Sequence, residues 1–111
     1  MDCLFCKIAS GQIPAKKIYE DDKSLVFYDI APQAPVHLLV IPKEHIASPA
    51  DINEENAPLA GHLMMVAAMA AKKEGLTSFR IVGNSGRDAG QTVHHLHYHL
   101  LGGRGLAWPP G

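Results

Sequence analysis

Three histidines at strict spacing of two, His95, His97 and His99, constrain this chain more than any other feature. On an extended strand, residues two apart share a face and rise about 6.6 Å together. Read as a strand, "TVHHLHYHLL" therefore puts its three imidazoles in one row. Its outer two stand roughly 13 Å apart, too far for all three to reach one zinc at ~2.1 Å. A three-histidine metal site built from this strand alone is excluded. Two neighbours sharing an ion, or a separate task for each histidine, remain. A row of imidazoles where Lys, Thr or Glu would serve on a solvent face points to chemistry. His94 faces the other way with Leu96 and Tyr98, and is expected to be a partly buried packing residue.

The rest of the chain reads as short strands around one long helix. Asp2 is placed to cap a short helix over residues 3–9, with Gly11 just beyond its end. "KKIYED" and "SLVFYDI" read as strands joined by the polar turn "DDKS". The two prolines of "APQAP" isolate "VHLLVIP", whose branched residues suggest a third, interior strand. Asn56 is expected to cap a helix of roughly 18 residues that ends before Gly75, with Pro58 tolerated in the first turn. Leu59, Leu63, Val66 and Met69 recur at helical spacing and predict one buried stripe. "SFRIVGN" gives a fourth strand and the histidine segment a fifth. The expectation is an α+β fold: a five-stranded, mostly antiparallel sheet with one long helix and a short N-terminal helix. One domain over residues 1–111 is expected, because a second core would leave each half too small; residues 104–111 form a tail.

Composition narrows the function. A net charge of −1 leaves no basic excess to neutralise nucleic-acid phosphates. The N-terminus lacks a cationic, apolar leader, and "HLMMVAAMAA" is too short to span a bilayer, so a cytoplasmic protein without membrane partners is expected. Cys3 and Cys6 fall at i and i+3 of the first helix, on one face. In a reducing compartment such a pair suggests metal or redox chemistry more than a disulfide; two buried free thiols are the plain alternative.

Before the histidine row lies "GNSGRDAGQT", with Gly83, Gly86 and Gly90. Such a loop can turn backbone N–H groups toward an anion, and Thr92 adds a hydroxyl at its end. This places phosphate donors beside potential nucleophiles.

"QTVHHLHYHLL" resembles the signature of the histidine-triad nucleotide-binding family. The likeness runs through "FCKIASGQIPAKKIYED", "FYDIAPQAPVHLLVIPKEHI", "GNSGRDAGQTVHHLHYHLLGGR" and the terminal "WPPG", the last of which looks like the Hint branch. The resemblance implies a purine nucleoside phosphoramidase acting on adenosine or guanosine 5′-phosphoramidates and binding AMP or GMP. A purine-nucleotide-binding regulatory module with little turnover is the alternative. It makes His97 the nucleophile toward the α-phosphorus, His99 a phosphate contact, and His37 a further histidine bordering the site. It assigns Asp29 to the ribose hydroxyls, Ile30, Phe27 and Ile8 to the base slot, and Asn84, Gly90, Gln91 and Thr92 to phosphate and ribose. Some family members hold zinc with the equivalents of Cys3, Cys6, His45 and His95; that structural ion would claim one triad histidine and leave two for chemistry. No catalytic cofactor is implied.

A homodimer is also expected. Trp108 sits on a short proline-bearing tail with little core of its own to enter. "LMMVAAMA" is apolar over more than one helix face, and Ala67, Ala68 and Ala71 would permit close approach of another surface. By the resemblance, two protomers form a continuous ten-stranded sheet, and each Trp108 reaches the partner's site.

Overall fold

The computed structural model describes residues 3–111. Five strands, β1 (Lys17–Glu20), β2 (Ser24–Tyr28), β3 (Val36–Pro42), β4 (Phe79–Val82) and β5 (Tyr98–Gly102), form one sheet in the order β1-β2-β3-β5-β4. Every neighbouring pair is antiparallel. Helix α1 (Leu4–Ala9) and the long α2 (Ala57–Lys73) complete the α+β architecture that the sequence predicts. No helix of the described residues is long and apolar enough to cross a membrane.

The alternation of β3 divides the molecule into two apolar clusters, because successive strand residues point to opposite faces. Leu38 and Val40 pack under α2 with Val26, Leu63, Val66 and Leu100. Leu39 and Ile41 face α1 with Leu25, Phe27, Phe5 and Ile8. Leu25, Leu38, Leu63 and Leu100 are fully buried; each such side chain contributes about 1.5–3 kcal/mol in apolar transfer alone. The β1–β2 turn is gathered by Asp21, which accepts from the Lys23 and Ser24 amides, the Ser24 and Tyr19 hydroxyls and the His62 ring. Burial alone would raise its pKa, but the Lys23 amide, His62, Ser24 and Tyr19 hold it well below the carboxylate range.

Local departures from the sequence expectations have identifiable causes. Asp2 lies outside the described residues, and the Cys3 sulfur caps α1 by accepting from the Cys6 amide. Asn56 precedes α2 without capping it through its side chain. Its Oδ1 instead accepts from the Asn53 amide, while Asn53 Oδ1 accepts from the Glu55 and Asn56 amides. The buried stripe of α2 continues from Leu63 and Val66 through Ala67, Ala70 and Ala71, not through Met69, which is exposed. Alanines let the C-terminal half of the helix lie close on the sheet. Ala67 and Ala71 are thereby consumed by the protein's own core and offer nothing to another surface.

The largest departure concerns the histidine segment. The β5 ladder begins at Tyr98, and residues 92–97 form a bent approach to it. The Leu96 amide donates to the Ile46 carbonyl and Gln91 Nε2 donates to the Val93 carbonyl, contacts that turn the backbone away from strand pairing. His95 and His97 therefore precede the strand, and only His99 stands on it. His94 is exposed rather than partly buried.

Candidate active site

The bend sends the three triad histidines to different places. His95 is fully buried, and its Nε2 lies 2.8 Å from the Pro42 carbonyl oxygen. A carbonyl can only accept, so Nε2 carries the proton and Nδ1 keeps its lone pair. That lone pair faces Cys3 Sγ at 3.3 Å, Cys6 Sγ at 3.5 Å and His45 Nδ1 at 3.2 Å. Cys6 Sγ is also 3.4 Å from His45 Nδ1, and the four ligand atoms lie within 4.8 Å of one another. A tetrahedral zinc with Zn–S of ~2.3 Å and Zn–N of ~2.05 Å has ligand-to-ligand edges of about 3.3–3.8 Å. The donor set fits: two soft sulfurs, two imidazole nitrogens and no carboxylate, with one imidazole already oriented by a carbonyl behind it. Burial, reinforced by Cys3, raises the Cys6 thiol, and burial also lowers His95.

His97 has the opposite arrangement. Its Nδ1 lies 2.7 Å from the His95 carbonyl oxygen, so Nδ1–H donates and the neutral ring keeps its lone pair on Nε2. Phe5 packs edge-on against this ring at 5.1 Å between centroids, as does His99 at 5.1 Å. The ring is thus held on two sides with one nitrogen committed.

His99 closes a second polar chain. The Gln33 amide donates to His37 Nδ1 at 3.0 Å, so the neutral His37 ring must carry its proton on Nε2. His37 Nε2 lies 2.9 Å from His99 Nδ1 and 3.4 Å from Asp29 Oδ2; the shorter contact is the hydrogen bond. His99 Nδ1 then accepts, and its own proton sits on Nε2. Burial, with His97 and His37 nearby, pushes His99 down to about 4 against the opposing pull of Asp29. Burial likewise lowers His37. Both rings are neutral donors at neutral pH. Asp29, His37 and His99 have the composition of a metal triad, yet a metal on His37 Nε2 would put the ring proton on Nδ1, against the Gln33 amide that donates there.

A cavity of about 580 Å³ opens in front of these groups. Its apolar walls include Ile8, Phe27, Ile30, Leu39 and Val93, and its polar end holds Asp29, Thr92, His97 and His99. Ile30 is fully exposed on the rim. Asp29 Oδ1 accepts from the Ala31 amide, leaving Oδ2 turned toward the histidines. The glycine loop is braced from within by Gln91, whose Oε1 accepts from the Gly86 amide and whose Nε2 donates to Ala47 and Val93 carbonyls. Gly90 sits at φ +102°, a conformation other residues rarely adopt, and a Cβ there would stand 3.5 Å from the Asn84 amide. Trp108 lies outside this cavity, 81% exposed beside the Arg80 guanidinium.

Sequence reasoning missed Phe5, Leu39 and the Pro42 carbonyl. Phe5 is three residues before Ile8 on α1, and Leu39 is two beyond His37 on β3, so helical and strand spacing could have found both. No sequence signal marks a carbonyl.

The family model described as "Scavenger mRNA decapping enzyme C-term binding" matches residues 2–105. An uncharacterized HIT-like protein from Synechococcus elongatus is 55% identical over 111 residues, covering 99% of this chain and 97% of its own. The chain is a histidine-triad (HIT) family protein. Among solved structures, a HIT family hydrolase from Legionella pneumophila superposes with a TM-score of 0.97 at 50% identity, covering 99% of this chain and 100% of that one. A histidine triad protein from Clostridium difficile gives a TM-score of 0.93 at 49% identity, over 96% and 95% of the two chains. The HIT fold is therefore shared along essentially the whole chain.

Proposed function

We propose that this HIT protein is a purine nucleoside phosphoramidase of the Hint branch, hydrolysing the P–N bond of adenosine or guanosine 5′-phosphoramidates. One observation carries the reading. His97 is held by the His95 carbonyl with Nε2 as its only lone pair, beside a neutral His99 donor at the polar end of an apolar cavity. His97 Nε2 attacks the α-phosphorus as the P–N bond breaks, and the leaving nitrogen takes a proton from solvent water at the cavity mouth and departs as the amine. Water then attacks the nucleotidyl-histidine, releasing the nucleoside monophosphate and regenerating the imidazole. His99 Nε2–H donates to a phosphate oxygen as charge builds there, and His37 sets the tautomer that makes it a donor. Asp29 receives the ribose hydroxyls. Phe27, Ile8 and Ile30 flank the base, while Asn84, Gly90 and Thr92 border the phosphate and Gln91 fixes the loop that carries them.

Cys3, Cys6, His45 and His95 would hold a structural zinc, whose chemical contribution is a closed, redox-inert crosslink between α1, the segment after β3 and the triad. The working unit is a homodimer of one-domain chains. Met64, Met65 and Met69 on α2 and Phe79 on β4 are exposed apolar side chains available to the second copy, and residues 104–111 reach toward the partner's leaving-group side. The solved relatives named as hydrolases support turnover over a purely binding role.

The deciding experiment mixes the protein with an AMP phosphoramidate, quenches early and measures intact mass. The expected result is a nucleotidyl adduct that maps to His97. AMP binding with neither adduct nor turnover would replace the enzyme with the binding module.

A further inference from the structure

Arg104 lies beyond β5 and contributes nothing to the cavity walls, yet its guanidinium makes an unusual contact. Nε and one terminal nitrogen both donate to the same oxygen, the Gln33 carbonyl, at 3.1 and 2.9 Å. The other terminal nitrogen donates to the Gly105 carbonyl at 2.8 Å. Gln33 belongs to the proline-rich turn between β2 and β3, and its amide is the donor to His37 Nδ1. Gln33 Nε2 adds a bond to the Ala31 carbonyl within that turn.

The neighbouring glycine explains how Arg104 gets there. Gly103 sits at φ +90°, and a Cβ on it would stand 2.9 Å from Pro35 Cβ. Only a bare backbone lets the end of β5 press against the turn at that distance. The turn has few other anchors: its two prolines carry no amide hydrogen, and Gln33 is the residue through which it reaches the histidines.

We propose that Arg104 is a positioning residue for the reaction: by clamping the Gln33 carbonyl it holds the Gln33 amide on His37 Nδ1, and so keeps His99 in the tautomer that presents Nε2–H to the substrate phosphate. The sequence of contacts is Arg104 to Gln33, Gln33 amide to His37 Nδ1, His37 Nε2–H to His99 Nδ1. Without the clamp the turn is free to lift, His37 Nδ1 loses the Gln33 amide as its donor, and either nitrogen of His37 can carry the proton. If His37 protonates Nδ1, its Nε2 becomes an acceptor. His99 must then turn its proton inward to meet it, and the phosphate faces a lone pair. Lys is not equivalent to Arg here, since one ammonium cannot reproduce two convergent N–H donors.

The role in turnover rests on the phosphoramidase reading, but the tautomers do not. The experiment is therefore a long-range proton–nitrogen correlation spectrum of histidine-labelled protein, recorded without substrate. The wild type should show Nε2–H tautomers at both His37 and His99. Arg104→Ala should convert one or both to a tautomer mixture, with Arg104→Lys in between. Gln33→Pro, which removes the amide hydrogen and leaves Arg104 intact, should reproduce the mixture. On phosphoramidate, Arg104→Ala should lower kcat roughly three- to tenfold with KM little changed, as expected from losing one hydrogen bond's worth of order. A wild-type Nδ1–H tautomer at His37, or an Arg104→Ala spectrum identical to wild type, overturns the proposal. A wild type with the expected tautomers and no turnover leaves the clamp standing and rejects the phosphoramidase.

Discussion

His95 and His97 are bound to each other through the main chain: the ring of His95 faces two thiols, while its carbonyl oxygen holds the Nδ1 of His97 at 2.7 Å. The proposed nucleophile is thus oriented by backbone, and the phosphoramidase reading makes its imidazole indispensable. His97→Ala should reduce phosphoramidate turnover by roughly a thousandfold or more. AMP affinity, measured by calorimetry, should stay within a few-fold of wild type, because the proposed ribose and base contacts lie elsewhere in the cavity. Near-native turnover in this variant would reject His97 as the covalent residue.

The thiol–imidazole cluster makes a separate claim. Protein purified without chelator should contain about one zinc per chain by elemental analysis. Cys3→Ser and Cys6→Ser should both lose the metal and melt several degrees lower, since a site formed only in the folded chain contributes its binding energy to folding. Cys3→Ser removes the ligand while its hydroxyl can still accept from the Cys6 amide and cap α1, so its effect reports the metal. A metal-free protein with unchanged melting temperature would rule the structural ion out.

His99 gives a pH dependence with a defined sign. Its folded pKa is about 4 against an ordinary 6.5. Between those values the unfolded chain binds a proton that the folded chain refuses, so stability is constant above about 6.5 and declines as the pH falls toward 4. His37 acts in the same direction. The ceiling for His99 alone is about 3 kcal/mol, reduced by the solvent that reaches the ring. Melting curves of wild type should fall across this window, and those of His99→Asn should fall less steeply. Parallel curves would show that His99 titrates normally.

Deleting residues 107–111 tests the tail and the dimer together. The deletion should change the ranking of amine leaving groups more than it changes AMP affinity, and light scattering on the full chain should report two copies at micromolar concentration. Unaltered leaving-group selectivity would remove Trp108 from the reaction, and a monomer would remove the shared sheet.

The strands and the long helix were legible in sequence because each is strongly patterned, and Pro35 before β3, Asn56 before α2 and Gly75 after it mark ends. "VHLLVIP" matches β3 residue for residue. The triad segment misled for a physical reason: alternation that reads as a strand also arises when successive histidines leave a bend in different directions. Backbone bonds from Leu96 and through Gln91 decide between the two, and neither is visible as a pattern of side chains. The Met69 expectation failed because spacings of three and four both fit the same helix, and alanines carried the buried face at the end where methionine was expected to. The resemblance named the candidate site residues, whereas the tautomers depend on the Pro42, His95 and Gln33 main-chain groups, which no pattern of side chains marks.

The strict alternation along β3 keeps two apolar clusters apart. Residues that point toward α2 join the larger core, and those that point toward α1 join a smaller cluster, of which Leu39 also lines the cavity. Substitutions at Phe5, Ile8, Phe27 or Leu39 in the cavity wall therefore disturb the smaller α1 cluster and leave the larger core under α2 untouched. An insertion of a single residue in β3 has the reverse effect, exchanging His37 for its neighbour and trading chemistry against stability in one step.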